Sequence, residues 1–345
     1  MQVSPLPTLP SRLATRGVEV LPGTLLCAAI AAVSTVIGSF LPMLGSAIPA
    51  VVIGVLVALV RTPGPRLRPG IGYSGKFVLQ CAVVLLGAQL SLASIVEVGA
   101  ESLPVMLSSL TVCLLGAWLL GRALKIDRDL TVLVGVGTGI CGASAIAAVS
   151  PVIKAKSADI AYAISTVFLF NILAVLIFPV VGHALGMTPH AFGLFAGTAV
   201  NDTSSVVAAA SVFSASALGF AVVVKLVRTL MIIPISIGLA VMEGRRSGEG
   251  ERFTPRRVLR LVPWFLVGFL VVATLTSLGA VPAAAADLLT QVSVFLVATA
   301  LAGIGMSTDL RAIRTAGLRP LLLGGILSVL VASTTLGVMA LTGAF

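Results

Sequence analysis

Runs of roughly twenty apolar residues recur from residue 21 to residue 342, each long enough to cross about 30 Å of hydrocarbon as a helix. Eleven candidate spans, the second somewhat shorter, lie at 21–41, 46–60, 74–94, 103–122, 130–152, 158–182, 192–213, 217–241, 258–278, 288–308 and 318–342. The chain is 58% hydrophobic and only 10% charged, where soluble domains carry about a quarter charged residues. A membrane barrel would show alternating strands of about ten residues. Instead the chain is poor in aromatics and holds 35 glycines, a composition that suits closely packed helices. The sequence therefore predicts an all-α polytopic membrane protein with about 11 transmembrane helices. Residues 1–20, rich in Pro, Ser and Arg, read as a flexible cytoplasmic N-terminus, and 21–345 as a single transmembrane domain. The first run exceeds the 7–15 residues of a signal-peptide core, so it reads as a retained helix.

The net charge of +10 is explained by basic loops rather than by nucleic acid. Arg61, Arg66, Arg68 and Lys76 follow the second run, and Arg122, Lys125 and Arg128 the fourth. Arg245, Arg246, Arg252, Arg256, Arg257 and Arg260 follow the eighth, and Arg311, Arg314 and Arg319 the tenth. If eleven spans alternate, all of these fall on one side, and Glu97, Glu101 and Asp287 on the other. The excess of basic residues on cytoplasmic loops then puts the N-terminus in the cytoplasm. Lys154 and Lys156 break this pattern, by snorkelling or because the fifth span is re-entrant. No basic stretch is interleaved with aromatics, so no nucleic-acid partner is expected. Cys27, Cys81, Cys113 and Cys141 form no paired motif, and His183 and His190 lack neighbouring ligands, so neither a metal nor a cofactor is expected.

Two short internal echoes stand out. Gly87-Ala88-Gln89-Leu90-Ser91 with Pro104 downstream resembles Gly303-Ile304-Gly305-Met306-Ser307 with Pro320 downstream, in spans of opposite direction. Gly137-Thr138, Ser144 and Ala148 resemble Gly197-Thr198, Ser204 and Ala208, in spans of the same direction.

Three runs carry groups that a bilayer makes costly. In the fifth, Gly135, Gly137, Gly139 and Gly142 weaken a helix near mid-membrane by about 1 kcal/mol each relative to alanine. A helix interrupted there starts again near Ala143-Ser144, and helix N-termini attract anions. Close packing of small residues is the competing explanation. In the seventh, Asn201, Asp202, Thr203 and Ser204 are all good N-cap residues, which points to a second interruption. In the eighth, Lys225 and Arg228 share one helix face, roughly 12 and 16 Å deep at 1.5 Å per residue. Intramembrane ionisable groups usually face a cavity and mark a substrate path. A Lys–Asp or Arg–Asp pair with Asp202 is expected, leaving about one surplus positive charge; a purely structural ion pair is the alternative. The candidate substrate-binding set is Gly137, Thr138, Cys141, Gly142, Ala143, Ser144, Asn201, Asp202, Thr203, Ser204, Lys225 and Arg228, with Asp202 as carrier of a coupling proton. Gln80, Gln89 and Asn171 read as polar glue between helices. Ser91, Ser307 and Asp309 read as helix terminators. No zinc-protease, serine-hydrolase or phosphate-loop motif occurs, so no catalytic residues are assigned and the chain is not expected to be an enzyme.

The segments GTGICGASAIAAVSPVIKAK, AGTAVNDTSSVVAAA and KLVRTLMIIP, with GKFVLQCAVVLLGAQLSL and ALAGIGMSTDLRAI, resemble the YeiH family of bacterial inner-membrane proteins, labelled sulfate exporters. The resemblance runs from about Leu21 to the end of the chain. It implies a fold like that of NhaA and the bile-acid symporters, with inverted repeats and two discontinuous helices that cross. The fifth and tenth spans are the expected crossing pair. Asn201 stands where many members of the family carry a histidine, so no titrating imidazole is expected there. The expected function is secondary export of a small anion, sulfate or a related sulfur oxyanion, across the bacterial inner membrane by alternating access. The expected partners are that anion and the lipid bilayer, with a homodimer left open. A cation/proton antiporter centred on Asp202 and an anion channel are the rival readings.

Overall fold

The computed structural model describes residues 9–40, 46–60, 63–247, 264–307 and 318–345. The flexible segment expected over 1–20 lies outside the described residues as far as residue 8, and a helix begins at Leu9. Asp309 and most of the loop from Glu243 to Arg260 also lie outside them. In chain order the helices are α1 (Leu9–Phe40), α2 (Ala47–Val60), α3 (Arg68–Tyr73), α4 (Leu79–Leu86), α5 (Leu92–Ala123), α6 (Arg128–Gly139), α7 (Ala143–Val149), α8 (Ser157–Ala184), α9 (Pro189–Ala199), α10 (Thr203–Phe213), α11 (Ala215–Leu230), α12 (Ile232–Ser247), α13 (Trp264–Ser277), α14 (Ala283–Met306) and α15 (Leu318–Thr342). A π-helical turn, Ser74–Val78, joins α3 to α4, and a 3-10 turn, Gly87–Gln89, follows α4.

The described residues are helical, without strand, and each of the eleven apolar runs contains helix. Among the described residues, seven helical segments are long and apolar enough to cross a membrane, two of which, Arg68–Gln89 and Ala215–Arg245, each join more than one of these helices. The second and ninth runs form the shorter helices α2 and α13, of 14 residues each. The fifth and seventh are each split in two, as α6–α7 and α9–α10. Large apolar side chains stand outward along many helices, among them Leu25, Leu119, Leu176 and Val267. That surface suits acyl chains and would be a liability in water.

Where the sequence reads as one domain from residue 21, the contacts sort into two compact units. One lies within Met1–Leu85 and Asp287–Thr308, the other within Leu86–Ala286 and Asp309–Phe345. The first is held by backbone approaches that only small residues permit. A Cβ at Gly23 would lie 2.1 Å from the Leu67 carbonyl oxygen, which sets α1 directly on the start of α3. One at Gly54 would lie 2.5 Å from the Ala302 oxygen, which does the same for α2 on α14. Without a hydrophobic driving force between helices in lipid, such close van der Waals contact does the joining.

The second unit holds both interrupted helices. Here the glycines of α9 let α11 approach closely: a Cβ at Gly193 would lie 2.5 Å from Phe220 Cβ, and one at Gly197 2.7 Å from Val224 Cβ. That closeness presents the next residues of α11, Lys225 and Arg228, to the end of α9. The helix α8 packs on α6, α7 and α10, and α11 on α9 and α10.

The two sequence echoes have different outcomes. The residues of the first adopt different conformations: Gly87–Gln89 form a 3-10 turn ended by extended Leu90 (φ −119°), while Gly303–Met306 continue α14. The second coincides with the two interruptions, which fall at Ile140–Gly142 and at Val200–Asp202. The likeness extends upstream. Leu124 and Leu185 cap α5 and α8 at φ −82° and −84°. Lys125 and Gly186 follow in the left-handed region, at φ 52° and 62°. Ile126 N–H then donates to Gly121 O at 2.9 Å, and Met187 N–H to Gly182 O at 3.0 Å. One local design, helix, turn and interrupted helix, is thus used twice. The tenth span, expected to be interrupted, is the continuous helix α14. Its glycines serve close packing, since a Cβ at Gly305 would lie 2.6 Å from Val51 O. The partner of the fifth span is the seventh.

Replacing Gly197 with Val should force α9 away from α11 and destabilise the protein by about 1–3 kcal/mol, the usual cost of overpacking. Gly238→Ala, in α12 with open space around the glycine, should leave the thermal midpoint in detergent unchanged or slightly raised. Equal midpoints for both variants would contradict the packing described here.

Candidate functional site

An α-helix that stops inside a protein leaves carbonyls without partners at its end and N–H groups without partners at the next start. In lipid those groups must be satisfied internally. Two interruptions side by side double the requirement, and three side chains meet most of it.

Lys225, fully buried, donates from Nζ to the carbonyl oxygens of Ile140 (2.7 Å) and Val200 (2.8 Å). These two residues occupy the same place in the two interruptions, so one ammonium ties both. Arg228, also fully buried, donates from Nε to Gly139 O at 2.8 Å and from Nη1 to Thr198 O. Both bases therefore sit on the carbonyl ends of α6 and α9, where the helix dipoles are negative. Asn171, from the middle of α8, supplies the opposite chemistry: its Oδ1 accepts from the N–H groups of Asn201 (3.1 Å) and Asp202 (3.3 Å).

The interruptions touch at equivalent positions. Gly142 has φ +68°, a conformation that L side chains rarely adopt, and a Cβ there would lie 3.2 Å from Asp202 Cβ. Glycine is needed both for the turn and for the contact. Asp202 caps α10: its Oδ2 accepts from Ser204 N–H at 3.0 Å and from the Ser204 hydroxyl. The start of α7 has Gly142 in the capping position and no side-chain cap.

The expected pairing of Asp202 with a base is not what the structure holds. Among the described residues no ion pair within 4.0 Å joins Asp202 to Lys225 or Arg228. The reason is geometric: the donors of both bases are directed at carbonyls that the interruptions have freed. Of the other candidates, Thr138, Cys141 and Asn201 are buried, and so is Gly137, which packs against Ile146 and Val167. Ala143 and Ser144 are exposed, and Asp202, Thr203 and Ser204 are half-buried. The accessible face of the site thus consists of the two helix starts and one carboxylate, with the two cations beneath. Four buried polar atoms here have no hydrogen-bond partner among the described residues: Thr138 Oγ1, Thr198 Oγ1, Asn201 Oδ1 and Arg228 Nη2. No group of His, Cys, Asp and Glu among the described residues could hold a metal ion.

Sequence reasoning placed Asn171 only as glue between helices, and missed Gly139, Ile140, Thr198 and Val200, which act through their carbonyls. A lone Asn in an apolar run was the one available signal; backbone acceptors leave none.

Paired interrupted helices, locked together by buried bases inside an apolar helical chain, define a multi-pass membrane protein with a polar centre. The chain is 40% identical over 331 residues to a UPF0324 membrane protein of Streptococcus pyogenes serotype M3, covering 94% of this chain and 97% of the relative. A UPF0324 membrane protein of Streptococcus pneumoniae is 42% identical, over 94% and 97% of the two chains. One of Clostridium tetani is 38% identical, over 90% and 93%. Residues 22–324 match the family described as conserved hypothetical protein 698. The chain belongs to this family of YeiH-type UPF0324 membrane proteins.

Lys225→Met and Arg228→Met should each leave two carbonyls unpaired in the interior, at a cost of about 1–3 kcal/mol per group. Asn171→Leu should do the same to two N–H groups. All three variants should unfold at lower temperature in detergent than a Ser216→Ala control on the exposed start of α11. Wild-type midpoints in the Lys225 and Arg228 variants would remove these bases from the structural role assigned here.

Proposed function

We propose that this protein is a secondary transporter that exports a small anion, sulfate or a related sulfur oxyanion, by alternating access across the bacterial cytoplasmic membrane. In this reading the eleven apolar runs make eleven crossings, with α3–α4, α6–α7, α9–α10 and α11–α12 counting once each and the N-terminus inside. The supporting observation is the unequal treatment of the helix ends. The negative ends of α6 and α9 are occupied by Lys225 and Arg228. The positive ends, at Ala143-Ser144 and Thr203-Ser204, lie toward the accessible face. With helix ends counted as about half a charge each, the two bases and two helix starts outweigh the carbonyl ends and Asp202 by about one positive charge. An oxyanion seated there would accept from backbone N–H groups and from the Ser144, Thr203 and Ser204 hydroxyls. The bases would act on it through the field rather than by contact. Asp202, already capping α10, competes with the cargo for the same positive end. A proton on its carboxyl would relieve that competition, which makes Asp202 the carrier of the coupling proton. The reading assigns the chain no catalytic step, no metal and no cofactor.

A second reading keeps the fold and changes the ion. Asp202 is the accessible charge at the centre, and Asn201 Oδ1 beside it is an unpartnered acceptor. Both favour a cation/proton antiporter.

Thermal unfolding of the purified protein against sulfate, sulfite, thiosulfate, alkyl sulfonates and carboxylates separates the two, because a ligand stabilises the state that binds it. At least one oxyanion should raise the midpoint. Asp202→Asn should keep that shift and, in proteoliposomes, lose the dependence of anion flux on a proton gradient. If no anion shifts the midpoint, and sodium or potassium instead drives proton flux that Asp202→Asn abolishes, the antiporter reading replaces anion export. Steady single-channel currents without coupling would make the protein a channel.

A further inference from the structure

The first unit carries a groove of about 920 Å³ between α1, α2 and the turn into α3, lined by Pro22, Leu26, Val57, Pro63, Arg66 and Leu67. Its chemistry is divided. Leu26 and Val57 supply an apolar wall, and the helix surfaces beside it continue outward through exposed Leu25, Leu56 and Leu59. Arg66 lines the rim with its side chain exposed, and the side chain of Arg68, two residues on, is exposed as well. Arg68 Nε donates to Pro63 O at 3.2 Å, which fixes the direction of its guanidinium. The rim is itself stiff, because Pro63 and Pro65 lock their backbone torsions. Glu19, exposed and one turn before Pro22, is the one described carboxylate nearby in sequence.

An apolar slot that opens along lipid-facing helices and ends at two exposed guanidinium groups is matched by one class of molecule. A glycerophospholipid carries acyl chains and an anionic phosphate in one molecule, and the planar fork of arginine suits phosphate oxygens. Basic pockets beside membrane helices attract anionic headgroups in the same way. A free phosphate would use the rim and leave the apolar wall without a role. We propose that this groove binds an anionic phospholipid, its phosphate on Arg66 and Arg68 and an acyl chain along Leu26 and Val57. The site is separate from the interrupted helices and stands whether or not the transport reading does.

The test uses the full chain in phosphatidylcholine nanodiscs with and without phosphatidylglycerol, followed by thermal unfolding and by mass spectrometry of the lipid retained after mild detergent extraction. Phosphatidylglycerol should raise the midpoint and be retained in preference to phosphatidylcholine. Arg66→Gln with Arg68→Gln should lose both effects, and Arg66→Lys with Arg68→Lys should keep part of them. Leu26→Trp, which fills the slot and leaves both arginines, should also lose retention; it decides the matter if the glutamine variant fails to fold. Inorganic phosphate alone should produce no shift. The proposal is overturned by equal midpoints in the two nanodiscs, by wild-type retention in the glutamine or tryptophan variants, or by a phosphate shift as large as that of the lipid, which would make the rim a small-anion site.

Discussion

Carbonyl oxygens freed at two helix interruptions, and the two bases that bind them, are the interaction on which the second unit of this protein depends. Lys225 and Arg228 would be costly as isolated charges in an apolar interior. Gly139, Ile140, Thr198 and Val200 would also be costly with their carbonyls unmet, at about 1–3 kcal/mol each. Each requirement answers the other. The bases find acceptors at the negative ends of α6 and α9, and the interruptions acquire donors. Because Lys225 holds equivalent carbonyls of both interruptions, the two are fixed to one another as well as to α11.

This arrangement changes what buried charge means here. An intramembrane Lys and Arg invite the reading that they face the cargo. Instead they are fully enclosed, and what they leave accessible is a surface of helix starts, hydroxyls and one carboxylate. Within the structure they offset the negative helix ends and leave the positive ones in force. Asp202 is the carboxylate that caps one of those positive ends.

The first unit is built on another principle. Gly23, Gly70, Gly54 and Gly305 let backbones meet directly, and Ser293 Oγ adds a buried bond to Ala82 O at 2.8 Å between α14 and α4. At its edge Arg66 and Arg68 stand beside an apolar groove.

The sequence by itself determined the class of the protein and the places of its helices. Apolar runs of bilayer length leave a chain few other options, and Gly139–Gly142 and Asn201–Ser204 marked both interruptions, because helix-weakening glycines and clustered cap residues act locally. The second internal echo was equally legible in residues, though its significance was not, since a short match in a chain rich in Gly, Ala and Ser says nothing about contact. Only the tertiary structure decided which spans are paired, that α14 runs unbroken, and that Lys225 and Arg228 serve carbonyls rather than Asp202. The physical reason is that every residue has the same backbone acceptor. A sequence shows which donors are present, but the acceptors they will meet are chosen by how closely glycines such as Gly193 and Gly197 let one helix lie on another.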